Sequence, residues 1–149
     1  MRVSLRSTYG IMAAVDLAMH TGSAPIQAKS IARRQGIPAR FLEQVLHAMK
    51  KAGLVSSLRG AQGGYVLSKK PSDLSVAEIL EALEGPFLAV AGPNGQNHLR
   101  HSGKSSAVLT KVWDRVYEAE RQVLAAITVE ELAGQQRQLE QQRTLMYHI

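Results

Sequence analysis

The sequence predicts a mainly α-helical fold with a small β-hairpin, and three observations support this fold class. Apolar residues recur at helical spacing through much of the first half of the chain. The stretch VSSLRGAQGGYVLS, residues 55–68, consists of two strand-like runs around a glycine-rich tip. From near Ser105, apolar residues alternate by three and four, the pattern of a long helix that packs on a partner. We therefore expect one compact helical domain with a hairpin and an appended dimerisation helix.

Composition narrows the classes of protein that the chain can represent. The 149 residues are 45% hydrophobic and 20% charged, so one domain with a real core is expected. Only 5% are aromatic, which disfavours a binder of single strands that stacks bases on aromatic platforms. No apolar run approaches the roughly 18 residues of a membrane span, and the start, MRVSLRSTYG, lacks a signal-peptide core. We expect a cytoplasmic protein without a membrane partner.

Positive charge is concentrated in the first half of the chain. Residues 1–70 contain 11 Lys or Arg and only two acids, for a net charge of +9, whereas residues 71–149 have a net charge of −3. A basic front half indicates a module that binds a polyanion, and the other interpretation is a solvated basic surface. Charge alone leaves both interpretations open.

Three helices are predicted before the hairpin. The first extends from about Ser7 to His20 and stops at TGSAP, and the second covers IQAKSIARRQ up to Gly36 without an evident N-cap. The third, IPARFLEQVLHAMKKAGL, has Pro38 in its first turn. Its predicted buried face comprises Phe41, Leu42, Val45, Leu46 and Met49. Its outward residues are then Arg40, Glu43, Gln44, His47, Lys50 and Lys51.

A tight QGIP turn between the second and third helices, followed by a hairpin, is the order of a winged helix-turn-helix. In that module the second helix of the pair enters the DNA major groove, and the hairpin is a wing that contacts the backbone or minor groove. The glycines allow close approach to phosphate, and Arg59 supplies charge. A nucleotide-phosphate loop is rejected because these glycines lead into the strand YVLS and not into a helix.

The second half is predicted to contain a capped helix, a long loop and the dimerisation helix. SVAE opens a helix that reaches about Glu84, and residues 85–104 form a long regulatory loop. The long helix and a short helix after Thr128 occupy 105–134, and the polar tail 135–149 is expected to be loosely ordered in part. Residues 1–84 are then the winged domain. The predicted dimerisation residues are Leu109, Val112, Trp113, Val116, Ala119 and Val123. Docking of this helix back across the winged domain is the alternative.

Several of these segments resemble the Rrf2 family of bacterial transcription regulators over roughly residues 1–134. The resemblance lies in MRVSLRSTYG, IPARFLEQVLHAMKKAGLVSSLRGAQGGYVLSK, SVAEILEALEG and VWDRV. It implies a homodimer with two winged modules, joined through the long helix, that reads a pseudo-palindromic operator as a repressor or an activator.

The resemblance also implies a set of DNA-binding residues. It places the start of the recognition helix at Pro38 and Ala39, and Ser4 and Arg6 near phosphates. With Gln44, His47 and Lys50 added from the outward face of the third helix, the predicted DNA-binding residues are Ser4, Arg6, Pro38, Ala39, Arg40, Glu43, Gln44, His47, Lys50, Arg59, Gly60, Gly64 and Tyr65. By its chemistry, Arg40 is suited to guanine O6 and N7, and Glu43 to a cytosine amino group. For Glu43 the alternative is a surface ion pair with Arg40 or Lys50. His47 is expected to face solvent or the backbone, and Tyr65 to pack under the wing.

The chain departs from the iron–sulfur members of the family, which have three cysteines between the fourth helix and the long helix. This chain contains no cysteine. We therefore expect no cluster and no metal, because His98 and His101 alone lack the thiolates that iron requires. These two histidines are expected to be exposed polar residues of the loop. The loop is the candidate site for a small-molecule or protein effector.

Two other functions are considered. The first is a protein-interaction module that controls a partner protein through its long loop and glutamine-rich tail. The second is an enzyme, which is not expected, because the sequence shows no nucleophile–base pair, paired carboxylates or metal-ligand spacing. Asp16, Asp73 and Asp114 are dispersed, and each is interpreted as a helix-surface or capping residue.

Overall fold

The computed structural model describes residues 3–20, 22, 24–85 and 103–148, with side chains from residue 107 onward in the last range. The described residues form six helices and one hairpin in the predicted order. They are α1 (Leu5–Met19), α2 (Ala28–Gln35), α3 (Ala39–Lys51), β1 (Val55–Leu58), β2 (Gly64–Leu67), α4 (Val76–Glu84), α5 (Gly103–Ala126) and α6 (Val129–Tyr147). A single 3-10 turn, Pro71–Asp73, precedes α4. This mainly helical architecture with a two-stranded hairpin confirms the predicted fold class.

Helix α1 is the central helix of the domain and contacts α2, α3, α4, α6 and β2. It begins after Ser4, whose side chain accepts a hydrogen bond from the Ser7 backbone N–H and so caps the helix. Gly10 lies where α1 crosses α4, and a Cβ there would collide with the Leu83 side chain. The absence of a side chain at Gly10 therefore allows the two helices to approach closely.

Helices α2 and α3 form the predicted helix-turn-helix pair. Gly36 ends α2 with a left-handed φ of 66°, a conformation that glycine adopts without steric cost. The buried face of α3 comprises Leu42, Val45, Leu46 and Met49. The assignment of Phe41 to that face was wrong, because its side chain is 55% exposed. At about 100° of rotation per residue, Phe41 falls just outside the arc that these four residues span.

The wing is an antiparallel hairpin in which Val55 pairs with Leu67 and Leu58 pairs with Gly64. Ile26 extends this sheet by one bridge, since its backbone exchanges hydrogen bonds of 3.0 and 2.7 Å with Tyr65. Gly64 passes so close to this segment that a Cβ would lie 2.5 Å from the Ile26 backbone. The base of the wing is thereby attached to the chain between α1 and α2.

The C-terminal helices are anchored where α4 and α6 begin. Ser75 and Glu78 form the predicted capping box at the start of α4. A backbone bridge joins Ser75 to Thr128, and Val129 and Ala133 of α6 are buried in the same core as α1 and α3. Helix α6 is longer than the predicted short helix, and it includes most of the tail 135–149, part of which was expected to be loosely ordered. The division into domains itself stays a prediction.

Candidate nucleic-acid interface

The outer face of α3 is a polar, cationic surface, and the opposite face of the helix is buried in the core. Pro38, Ala39, Arg40, Glu43, Gln44, His47 and Lys50 are all exposed. Meanwhile Leu42, Leu46 and Met49 are completely buried on the opposite side. The structure thus brings the predicted recognition residues together on one solvent-facing side, with Pro38 at the N-cap and Ala39 first in the helix.

Several charges on this side are not neutralised by neighbouring side chains. The described residues contain three ion pairs of Lys or Arg, with Asp16, Glu78 and Glu81 as the acids. None of them includes Glu43, Arg40 or Lys50. The surface ion pair considered as the alternative for Glu43 is therefore not formed among the described residues. Lys29 and Arg33 on α2 are also exposed without an ion pair among the described residues. They belong to the charged run AKSIARRQ and were not among the predicted contacts.

Arg34 is exposed in part as well, but it has an ion-pair partner, Asp16. Its Nε and Nη2 donate hydrogen bonds of 3.0 and 2.6 Å to the Asp16 carboxylate, which also accepts from Gln35 Nε2 at 2.9 Å. The hydrogen bond to Asp16 raises the pKa of Arg34, and burial opposes this effect. The interpretation of Asp16 as a surface or capping residue was wrong, because this side chain is only 1% exposed. The pair attaches α2 to α1 and so fixes the orientation of the helix-turn-helix.

The wing carries Arg59 at an exposed position directly after β1. Gly60 occupies the tip with a φ of 112° and has open space where a side chain would extend. Gly64 and Tyr65 have packing roles as well: Gly64 admits Ile26, and Tyr65 is half-buried against the core. The expectation that Tyr65 packs under the wing agrees with this placement. Arg59 and Gly60 therefore lie on the exposed tip of the wing, where they are accessible to a ligand.

The N-terminal residues Ser4 and Arg6 are both exposed, but Ser4 is already engaged at the start of α1. Its backbone N–H donates to Glu84 Oε1 at 3.0 Å, and the buried Ser7 hydroxyl donates to the same oxygen at 2.6 Å. Burial would raise the pKa of Glu84, but the hydrogen bonds from Ser4 and Ser7 outweigh it and lower that pKa. The Ser4 N–H and the Ser7 hydroxyl at the start of α1 are thus already bonded to the Glu84 carboxylate of α4.

Helix α5 exposes the residues that were predicted to mediate dimerisation. Leu109, Val112, Trp113, Val116 and Val123 are 40 to 62% exposed, and Ala119 is exposed as well. Contact with α4, which includes an ion pair between Arg121 and Glu81, leaves this apolar stripe uncovered. The predicted alternative, α5 docked back across the winged domain, therefore does not cover the stripe in this structure.

The donor set of the chain does not fit an iron–sulfur cluster. The sequence lacks cysteine, so no thiolate is available to any iron. No group of three or more His, Asp or Glu residues within the described ranges is arranged to hold a metal ion. His98 and His101, and nearly all of the predicted loop 85–104, lie outside the described residues.

The helix pair, its exposed cationic face and the attached hairpin define a winged helix-turn-helix DNA-binding protein. Comparison with known proteins narrows this class. The family model Rrf2, described as an iron-dependent transcriptional regulator, matches residues 3–135. The chain belongs to the Rrf2 family, and the resemblance predicted from the sequence is confirmed.

Curated and solved relatives agree with this assignment. The HTH-type transcriptional regulator CymR of Bacillus subtilis is 33% identical over 134 residues, which are 90% of this chain and 91% of CymR. IscR of Photorhabdus laumondii is 32% identical over 140 residues, or 94% of this chain and 84% of IscR. The structure of B. subtilis CymR superposes with a TM-score of 0.73 at 32% identity, covering 90% of this chain and 97% of CymR. For T. potens IscR the TM-score is 0.70 at 37% identity, and the match covers 91% of this chain and 88% of IscR.

These relatives decide between the functions considered from the sequence. The chain is a DNA-binding transcriptional regulator of the Rrf2 type, and its relatives are regulators and not enzymes. This function is favoured over the protein-interaction module. None of the helices in the described part of the chain is both long and apolar enough to cross a membrane.

Proposed function

We propose that this regulator acts in the cytoplasm as a homodimer without an iron–sulfur cluster, and that it reads a pseudo-palindromic duplex. In this proposal α3 contacts base edges in the major groove, and Arg59 contacts the backbone or the minor groove. A small molecule or a partner protein supplies the signal for repression or activation. The observation that carries the proposal is the exposed outer face of α3, on which Arg40, Glu43 and Lys50 have no ion-pair partner among the described residues.

Base reading is assigned to the start of α3. The Arg40 guanidinium matches O6 and N7 of guanine, and the Glu43 carboxylate matches a cytosine amino group. A carboxylate on a phosphate-binding face is repelled by the phosphates, and a hydrogen bond accepted from a base can offset this repulsion. Because no ion pair of Glu43 offsets this repulsion in the described structure, base recognition gives its position a physical reason.

Selection of bound duplexes from a random pool tests base reading most directly. The wild type is expected to select two inverted half-sites about one or two helical turns apart. Glu43→Ala should relax selection at one base pair in each half-site and leave the other positions unchanged. If the variant selects the same sequences with the same stringency, Glu43 does not read a base.

Backbone contact by the wing has a different signature. Arg59→Ala should weaken binding to all duplexes alike and reduce the slope of log affinity against log salt by about 1. Lys111→Ala, an exposed cation on α5, is the matched control and should leave the slope unchanged. An unchanged slope for Arg59→Ala would exclude a phosphate contact by this residue.

The homodimer is assigned to α5. Its apolar residues repeat at heptad spacing from Leu109 to Val123, and this stripe is exposed in the single chain. Val116→Glu places a charge in the centre of the stripe and should yield monomers in sedimentation velocity experiments. Lys111→Glu, outside the stripe, should remain dimeric. A monomeric wild type at micromolar concentration would contradict the assignment.

A further inference from the structure

We propose that the cavity between the end of α1 and the wing binds a small monocarboxylic acid with an apolar body, and that this acid regulates DNA binding. Only the regulation of DNA binding rests on the proposed function; the binding of the acid does not. The cavity has a volume of about 420 Å³ and lies among α1, the segment 24–26 and strand β2. That volume falls within the range of roughly 300–1,000 Å³ that is typical of small-molecule sites.

The lining of the cavity sets the chemical class of the ligand. Leu17, Ile26, Val66 and Leu67 contribute apolar surface, and Tyr65 adds an aromatic ring. Such a wall favours an alkyl or aryl group, which leaves water on entering. A purely polar metabolite would lose its hydration against these apolar side chains without equivalent hydrogen bonds in return.

The charged lining residues set the charge of the ligand. Lys69 and Lys70 both line the cavity, and none of the described lining residues is an acid. Lys69 Nζ forms an ion pair with Glu78 Oε1 at 3.0 Å, whereas Lys70 has no ion pair among the described residues. Lys70 is therefore placed to bind one carboxylate while the apolar body of the acid occupies the cavity.

The position of the cavity connects it with DNA binding. One wall is β2, the second strand of the wing, which follows the tip that carries Arg59. Ile26 forms part of the same cavity and is hydrogen-bonded to Tyr65 of that strand. A ligand that contacts both sides of this bridge stabilises one position of the wing relative to others. The affinity of the protein for DNA then changes according to how well that position fits the duplex.

Octanoate is a suitable probe, with 1-octanol as its uncharged counterpart. In methyl NMR spectra, octanoate should cause saturable shifts at Leu17, Ile26 and Leu67, with a dissociation constant below about 1 mM. Lys70→Gln should weaken the binding of octanoate at least about fivefold and leave the binding of octanol unchanged. The control Lys29→Gln should change neither affinity. Ala24→Trp, a change at an exposed position of the lining, should fill the cavity and abolish both shifts.

Three outcomes would overturn the site: no saturable shift at these methyls, equal binding of octanol and octanoate, or unchanged octanoate binding in Lys70→Gln. DNA affinity measured with and without octanoate then tests regulation separately. Octanoate binding with unchanged DNA affinity would refute the regulatory role and retain the site. A chain that binds octanoate but no duplex would refute the proposed DNA contacts alone.

Discussion

The ion pair between Arg34 and Asp16 leads to a sharp prediction about stability. Arg34→Ala removes two charge-assisted hydrogen bonds from a carboxylate that is 1% exposed. This carboxylate keeps the hydrogen bond from Gln35, and His20 Nδ1 lies 3.7 Å from its Oδ1. Loss of one partner from a buried pair costs about 3–5 kcal/mol, because a buried charge is left uncompensated. The Arg34 side chain is 39% exposed, so water can partly replace it. We therefore expect a cost near the lower limit, about 3 kcal/mol.

Thermal denaturation provides the assay for this prediction. For a chain of this size, a loss of about 3 kcal/mol lowers Tm by roughly 6–12 °C. Arg33→Ala is the matched control and should cost less than about 0.5 kcal/mol, since this neighbouring arginine is exposed without an ion pair among the described residues. All proteins should be compared at one concentration, because the homodimer proposed above would make Tm depend on protein concentration. Equal Tm values for the two variants would refute the assignment of Arg34 as the clamp between α1 and α2.

Three further predictions concern other contacts. The pKa of Glu84 is lowered from 4.5, so its contribution to stability is present at pH 7 and is lost as the pH falls through the folded-state pKa. The difference in urea midpoint between wild type and Glu84→Gln should therefore shrink on acidification below about pH 4. Gly64→Ala should destabilise by about 1–3 kcal/mol in urea unfolding, because its Cβ meets the Ile26 backbone. Gly134→Ala, in α6 with open space around it, should instead stabilise by about 0.5–1 kcal/mol in the same measurement.

Features with strong local signals were predictable from the sequence. The capping box at Ser75, the glycine at the end of α2 and the alternation of apolar residues in α3 each act over a few residues. The hairpin likewise follows from two short strands around a glycine-rich turn. These signals were sufficient to place the candidate recognition face before any tertiary contact was known.

Features that depend on distant residues were not predictable in the same way. Asp16 is buried because Arg34, eighteen positions later, folds back to meet it, and nothing near Asp16 indicates that contact. The extent of α6 was missed for another reason. Its last turns are rich in Gln, Glu, Arg and Leu, which have good helix propensity, but their polarity was interpreted as loose order. Phe41 was misplaced because a helix periodicity fixes the centre of a buried face better than its edges.

The bridge between Ile26 and Tyr65 has a consequence for the thermodynamics of operator binding. Both strands of the wing are already ordered by this attachment in the free protein. Restricting the backbone of one residue costs about 1–2 kcal/mol of conformational entropy. For a wing that seats on DNA as proposed, this cost falls on the short tip between the strands and not on the whole hairpin. Loss of the bridge between Ile26 and Tyr65 should therefore make the entropy of operator binding more unfavourable, even when every contact with the duplex is retained.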